Sequence, residues 1–184
     1  MNKSMKLSEH FTLGELCKTK YVTEDGNIPS RVHIENLKRI CENWLEDLRY
    51  RYNMLYVHSG VRPQSKVAGD CTLAPDPGAA PELGAAPSSR KEEPIVINSG
   101  YRSPEVNRLA GGAANSNHLS GCAVDIRCAG KEQMIRYASI LLDIADGSKR
   151  EYDELLLEQH GSVCWLHFAV RPKENRRIIR FLRV

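Results

Sequence analysis

A histidine and an aspartate seven positions apart, His118 and Asp125, stand on either side of Gly121 in Ser116-Asn-His-Leu-Ser-Gly-Cys-Ala-Val-Asp-Ile-Arg127. Ahead of them run Ser99-Gly-Tyr-Arg-Ser-Pro-Glu-Val-Asn and a turn rich in Gly, Ala and Asn. A second histidine, His167, lies in the strand-like run Trp165-Leu-His-Phe-Ala-Val170. Alternation along a strand puts His167 on one face with Trp165 and Ala169, and Leu166, Phe168 and Val170 on the other. In the same way Asp125 shares a face with Ala123, opposite Val124 and Ile126. Two such strands in one sheet, each with its apolar face on helices, offer Asp125 and His167 side by side. His118 sits on the loop that feeds the Asp125 strand and can fold back over it. Two imidazoles and a carboxylate make a zinc site with three protein ligands and one position left for water. A carboxylate buried here without a partner is costly, and a divalent cation satisfies it. Spacing alone leaves a second reading equally open, in which the three are ordinary hydrogen-bonded residues.

The rest of the chain supplies a scaffold. Thr12-Leu-Gly-Glu15 has capping-box spacing and starts a short helix, with Phe11, Leu13 and Leu16 to pin it. Thr19–Pro29 is polar and reads as loop. Leu37, Ile40, Cys41, Trp44, Leu45 and Leu48 form one apolar stripe at helical spacing, which predicts a helix over about 31–51. Ile95-Val-Ile reads as a buried strand entering a turn at Ser99-Gly100. Ser103 then serves as N-cap with Pro104 at the first helical position, for a helix that ends at Gly111-Gly112. Ala113–Leu119 reads as loop, Cys122–Arg127 as a strand and Lys131–Ala145 as a second long helix. Tyr152–Glu158 and Val163–Val170 form a hairpin around His160-Gly-Ser162.

Between about 53 and 92 the composition changes, with five prolines interleaved with Gly and Ala. Such a stretch buries too little apolar surface to offset its ordering entropy and reads as a disordered insertion in a single domain, 1–184. Its flanks echo each other: Leu55-Tyr-Val-His-Ser-Gly-Val-Arg62 resembles Ile95-Val-Ile-Asn-Ser-Gly-Tyr-Arg102. A partial duplication and a chance likeness of two short strands are equally good accounts of this.

A net charge of +3 is too small to argue for a nucleic-acid partner. The basic residues Arg171, Lys173, Arg176, Arg177, Arg180 and Arg183 read as a solvated terminal strand or helix ahead of a surface for an anionic polymer. No apolar run reaches the ~18–20 residues of a membrane span. The N-terminus lacks the apolar core of a secretory signal, so synthesis in the cytoplasm is expected. The six cysteines include no Cys-x-x-Cys pair and are expected to be reduced and buried. Cys122 and Cys164 flank the candidate ligands but read as small core residues.

Ser-Gly-Tyr-Arg-Ser-Pro-Glu-Val-Asn, then Ser-x-His-x-x-Gly-x-Ala-x-Asp, then Trp-x-His, resembles the zinc D-alanyl-D-alanine carboxypeptidase family. That family takes in D-Ala-D-Ala dipeptidases and phage L-alanyl-D-glutamate endolysins, and shares its fold with the hedgehog signalling domain. Leu7-Ser-Glu-His-Phe-Thr-Leu-Gly-Glu-Leu16, the helix from Asn36 and the Asn175-Arg-Arg ending are also similar to it, so only about 53–92 is foreign. The resemblance implies an α+β fold: a small, mainly antiparallel sheet with helices on one side and zinc on the other. It implies His118, Asp125 and His167 as ligands of one Zn2+, Arg102 as the group that binds the substrate carbonyl or oxyanion, and Ser116 as a contact to the substrate backbone. A salt bridge to Glu105 or a surface role is the alternative for Arg102.

The general base is harder to place. Dipeptidase-like members carry a carboxylate three residues before the last histidine, where this chain has Cys164. Other branches resemble Asp-Gln-Leu-Ile-x-Glu ahead of Trp-x-His, and here Asp153-Glu-Leu-Leu-Leu-Glu158 precedes Trp165-Leu-His167. Glu158 is therefore the expected base, with Glu154 second. The implied activity is zinc-dependent hydrolysis of peptidoglycan stem peptides, at a D-Ala-D-Ala-type or adjacent bond, by a monomer that acts on the cell wall after release or by a cytoplasmic dipeptidase. The rivals are a zinc-stabilised wall- or partner-binding module without turnover and a copy inactivated by the insertion.

Overall fold

A computed structural model describes residues 4–58 and 91–184. Five strands form one sheet in the order β1-β2-β4-β3-β5: β1 Ile97–Ser99, β2 Ala123–Cys128, β3 Glu154–His160, β4 Val163–Ala169 and β5 Ile178–Arg183. Every neighbouring pair is antiparallel except β3 and β5, which run parallel. The α+β expectation holds, as does the β3–β4 hairpin about His160-Gly-Ser162.

The apolar alternation sets the two faces of the sheet. Val124, Ile126, Leu155, Leu157, Leu166 and Phe168 belong to the core. Against them packs a long helical run made of α2 Arg31–Ile40, a π-helical turn Cys41–Leu45, α3 Glu46–Tyr52 and a π-helical stretch Asn53–His58. Its stripe of Leu37, Ile40, Cys41, Trp44, Leu45 and Leu48 is wholly buried, and Trp44 meets Phe168 and Tyr152 edge-on. Each such large apolar side chain contributes about 1.5–3 kcal/mol through burial. Helix α5, Lys131–Ser148, packs against the same face and extends one turn beyond the expected end.

Capping is legible at the short helices. Thr12 accepts a hydrogen bond from the Glu15 N–H at the start of α1, Leu13–Leu16, and Ser103 accepts from Val106 at the start of α4, Pro104–Leu109. The segment expected as loop before Gly121 contains a 3-10 turn, Asn117–Ser120, because the Ser116 hydroxyl caps it by accepting from the His118 N–H. Gly121 ends that turn at φ +67°, and a Cβ there would lie 2.6 Å from the His33 carbonyl oxygen.

The expected insertion lies mostly outside the described residues. Its first described part, Asn53–His58, is helical rather than disordered. Leu55–His58 is therefore not a strand, because the preceding helix propagates through it; in the stretch it echoes, the strand begins at Ile97, two residues later than expected, and Val96 is exposed. The Asn53 amide bonds the Glu93 backbone in both directions, at 3.0 and 2.7 Å, so the two flanks meet at one point. Five cysteines, Cys17, Cys41, Cys122, Cys128 and Cys164, are buried free thiols; Cys71 lies outside the described residues. Among the described residues no helix is long and apolar enough to cross a membrane.

Candidate metal centre

The sheet face away from the helices carries the polar residues. In the β2–β4 register Asp125 lies directly opposite His167, and Ser99 of β1 lies opposite Asp125 on its other side. The capped 3-10 turn brings His118 over this row. His118 Nε2 is 3.2 Å from Asp125 Oδ1 and 3.2 Å from His167 Nδ1, and His167 Nδ1 is 2.9 Å from Asp125 Oδ1. All three residues are buried.

The outward atom of each residue also has a partner, by hydrogen bond for His118 and Asp125 and by a longer ion-pair contact for His167. His118 Nδ1 lies 2.6 Å from the Gly100 carbonyl oxygen; a carbonyl only accepts, so Nδ1 carries the proton and Nε2 presents its lone pair. His167 Nε2 faces the Glu154 carboxylate at 3.6 Å, which leaves Nδ1 turned inward. Asp125 Oδ2 accepts from the Arg102 guanidinium. Three acceptor atoms thus converge with nothing but one another to bond, an arrangement that repels itself unless a proton or a cation lies among them. A tetrahedral zinc with bonds near 2.0–2.1 Å sets its ligand atoms about 3.3 Å apart. The observed triangle is close to that size, so the donor set fits the ion.

Without a cation, the proton among these atoms belongs to His167, whose Nδ1 donates to Asp125 and is the position a metal would take over. Burial pushes His118 below the ordinary histidine value, so it is a neutral, ligand-ready imidazole. Burial opposes the charge on His167 too, but Asp125 and Glu154 outweigh it and bring its pKa up to about 9. Burial would raise Asp125, yet the adjacent histidines hold it well below the carboxylate range.

Around this centre opens a cleft of about 960 Å³, whose lining includes Arg102, Ser116, Glu154, Glu158, Trp165 and Arg176. Arg102 is not paired with Glu105; it donates from Nε to Ser99 Oγ at 2.8 Å and pairs with Asp125. Ser116 reaches the cleft, but its hydroxyl is also the cap of the His118 turn. Glu158 sits opposite Trp165 in the β3–β4 ladder, one diagonal step from His167. Burial raises its carboxyl above the ordinary value, with smaller opposing contributions from His167 and Trp165. Glu154, by contrast, is held low, first by His167 and also by Arg176.

Cys164 is on the other side of the sheet. An offset of three along a strand reverses the face, and Cys164 is in the core with Leu166 and Phe168. Cys122 is likewise buried, its thiol turned to the Ser120 carbonyl at 3.8 Å.

Two features were not read from the sequence. The polar segment Thr19–Pro29 contains Asn27, buried, whose side chain donates to the Cys17 and Tyr101 carbonyls and accepts from the Ser103 N–H, thereby clamping both neighbours of Arg102. The second is a set of ion pairs around Asp153. Its buried carboxylate accepts from Arg176 Nε and an Arg176 terminal nitrogen, each at 2.7 Å, and from Asn117 at 2.9 Å. Arg177 is also spent internally, on Asp146 and over the Tyr152 ring. Gly-Asn at 26–27 is a turn signal that marks the first feature; nothing local marks the second.

The model of the Peptidase M15 family matches residues 79–147. The match agrees with the resemblance carried by Ser99–Asn107 and Ser116–Asp125, and it supports a peptidase. No individual curated protein matches the chain significantly.

Proposed function

We propose that this chain, related through residues 79–147 to the Peptidase M15 family, is a zinc metallopeptidase that hydrolyses peptidoglycan stem peptides at or beside a D-amino acid. The observation that carries the reading is the triangle of His118 Nε2, Asp125 Oδ1 and His167 Nδ1 at tetrahedral-edge distances, opening on a cleft. Zinc bound there supplies a Lewis acid and lowers the pKa of a coordinated water to about 7.

The chain's own residues supply the remainder. Glu158 takes the proton from the attacking water and passes it to the leaving amine. Support for this role comes from its position in the cleft and from burial, which raises its pKa towards the range useful to a base. Glu154 is the poorer base, because Arg176 and Asn117 already occupy its oxygens at 2.8 and 3.0 Å. Arg102 spends Nε on Ser99 and one terminal nitrogen on Asp125. Its remaining N–H groups meet the negative charge that develops on the carbonyl oxygen, worth about 2.7–4 kcal/mol for comparable donors. Ser116 contacts the peptide backbone at the cleft wall.

The alternative is a zinc-stabilised binding module without turnover, which Cys164 favours by standing where dipeptidase-like relatives carry an acid. Its burial in the core, away from the cleft, supports a base on β3 instead.

The test is incubation of purified protein with muropeptides, with and without chelator, followed by mass spectrometry of the fragments. Metal-dependent release of a new amine, lost in Glu158→Ala, is expected. Zinc bound at one equivalent with no new amine, and no effect of Glu158→Ala, would overturn the enzyme reading.

A further inference from the structure

Behind His167, on the side away from Asp125, stands a polar cluster that the peptidase reading leaves without a task. Asp153, 0% exposed, anchors it. Its carboxylate accepts the Arg176 backbone N–H at 3.2 Å and both prongs of the Arg176 fork at 2.7 Å, and Arg171 lies at 3.5 Å. Such a bidentate pair fixes direction as well as position. From that anchor Arg176 reaches on to Glu154 Oε1 at 2.8 Å. Asn117 uses one amide nitrogen for Asp153 at 2.9 Å and for Glu154 Oε2 at 3.0 Å. Both oxygens of Glu154 are thus held, and the Oε2 atom faces His167 Nε2 at 3.6 Å. Glu154 is the acceptor that faces this ring nitrogen among the described residues.

We propose that Glu154 is a positioning residue: braced by Arg176 and Asn117 against Asp153, it fixes the ring of His167 so that Nδ1 faces the metal. The inference rests on His167 being a metal ligand. The physical reason is that an imidazole rotates about its Cβ–Cγ bond unless its second nitrogen is anchored. A carboxylate on that nitrogen sets both tautomer and ring plane and makes the ligand more basic. Without Arg176, the adjacent carboxylates of Asp153 and Glu154 would repel each other, and Glu154 would swing towards solvent. Asn117 adds a second consequence. Its neighbour is His118, so one amide ties the turn that bears the first ligand to the strand beside the third.

The test is zinc affinity of the full chain, measured by competition with a chromophoric chelator, alongside muropeptide turnover. Glu154→Ala is expected to bind zinc about 10–100-fold more weakly, the usual loss when such an outer partner goes. Glu154→Gln keeps an acceptor for the ring N–H and is expected to retain most of the affinity and a measurable rate. Arg176→Lys, which keeps the charge but loses the fork, should weaken zinc in the same direction. Ring nitrogen NMR of the zinc form should show His167 protonated at Nε2 and metal-bound at Nδ1, with the Nε2–H signal lost to exchange in Glu154→Ala. Zinc affinity unchanged in Glu154→Ala, with turnover lost equally in the Ala and Gln variants, would overturn the proposal and make Glu154 the base. A wild-type chain that takes up no zinc would instead contradict the metallopeptidase reading on which it rests.

Discussion

Asp125 and His167 face each other across the β2–β4 ladder, with Oδ1 and Nδ1 2.9 Å apart. A slip of one residue in that register would move either side chain to the face covered by helices. The position of the candidate metal centre is therefore set by the same apolar residues, Val124, Ile126, Leu166 and Phe168, that build the core beneath it.

Glu158 is expected to trade stability for function. Burial raises its pKa, so its charged form is disfavoured in the fold. Stability from this group is greatest at low pH, where the carboxyl is protonated, and declines as pH rises through the folded pKa. Glu158→Gln should melt no lower than wild type at neutral pH, while its turnover falls about 10²–10⁴-fold, the contribution of a positioned base. Calorimetry together with a muropeptide assay measures both.

Cys164 should have no part in the chemistry. It lies in the core, 3% exposed, opposite Cys128 in the β2–β4 register. Cys164→Ala is expected to lower stability by about 1 kcal/mol through lost packing and to leave zinc content and turnover per folded molecule unchanged. Metal analysis and rate measurement on the same sample check this.

Gly100 couples the fold to the centre. A Cβ there would stand 2.3 Å from the Leu16 carbonyl oxygen, so the backbone must shift. The carbonyl of the same residue orients His118. Gly100→Ala should cost about 1–3 kcal/mol, as overpacked sites do, and should also weaken zinc binding. Thermal melts of the metal-free and zinc-loaded forms separate the two effects.

Asp153 should shape the acid limb of stability. Burial would raise its pKa, but hydrogen bonds from Arg176 and Asn117 outweigh that and hold it below the ordinary value. A carboxyl depressed in the fold stabilises above its unfolded pKa of about 3.9, and that stability is lost as pH falls through the folded value. Asp153→Asn should therefore flatten the melting curve below about pH 4. At neutral pH it should cost about 1.5–3 kcal/mol, the value of a hydrogen bond to a charged group. The lower part of that range is expected because Arg176 is itself 47% exposed and keeps Glu154. Melting temperature as a function of pH in both proteins checks the sign.

Much of this architecture is written in local periodicity. The stripe from Leu37 to Leu48 declares its helix at a spacing of three and four, and the alternation in Ala123–Ile126 and Trp165–Val170 assigns both strands their faces. The same period of two already sets Cys164 against His167, so its core position was legible without a structure. The contacts that hold the centre in place follow no period. Asn27 beside Arg102, and Asn117 and Arg176 on Asp153 and Glu154, join residues far apart in sequence through single polar atoms. No propensity or spacing encodes such pairs. The parallel placement of β5 beside β3 depends likewise on how the Arg171–Arg177 turn closes over Asp153, a tertiary event. Arg102 lies between these cases: its proximity to Asp125 follows from the β1–β2 register, whereas Glu105 beside it in sequence was the misleading partner.

A metal held by His118, Asp125 and His167 is what would make the cleft a peptidase site. The most direct measurement is a titration of zinc into chelator-stripped protein, with amine release from muropeptides followed at each addition. Activity that rises from zero and breaks at one zinc per chain, and that is absent in His167→Ala, is the predicted result. Binding that saturates at one equivalent with no amine released at any zinc level, or activity that persists in stripped protein, would contradict it.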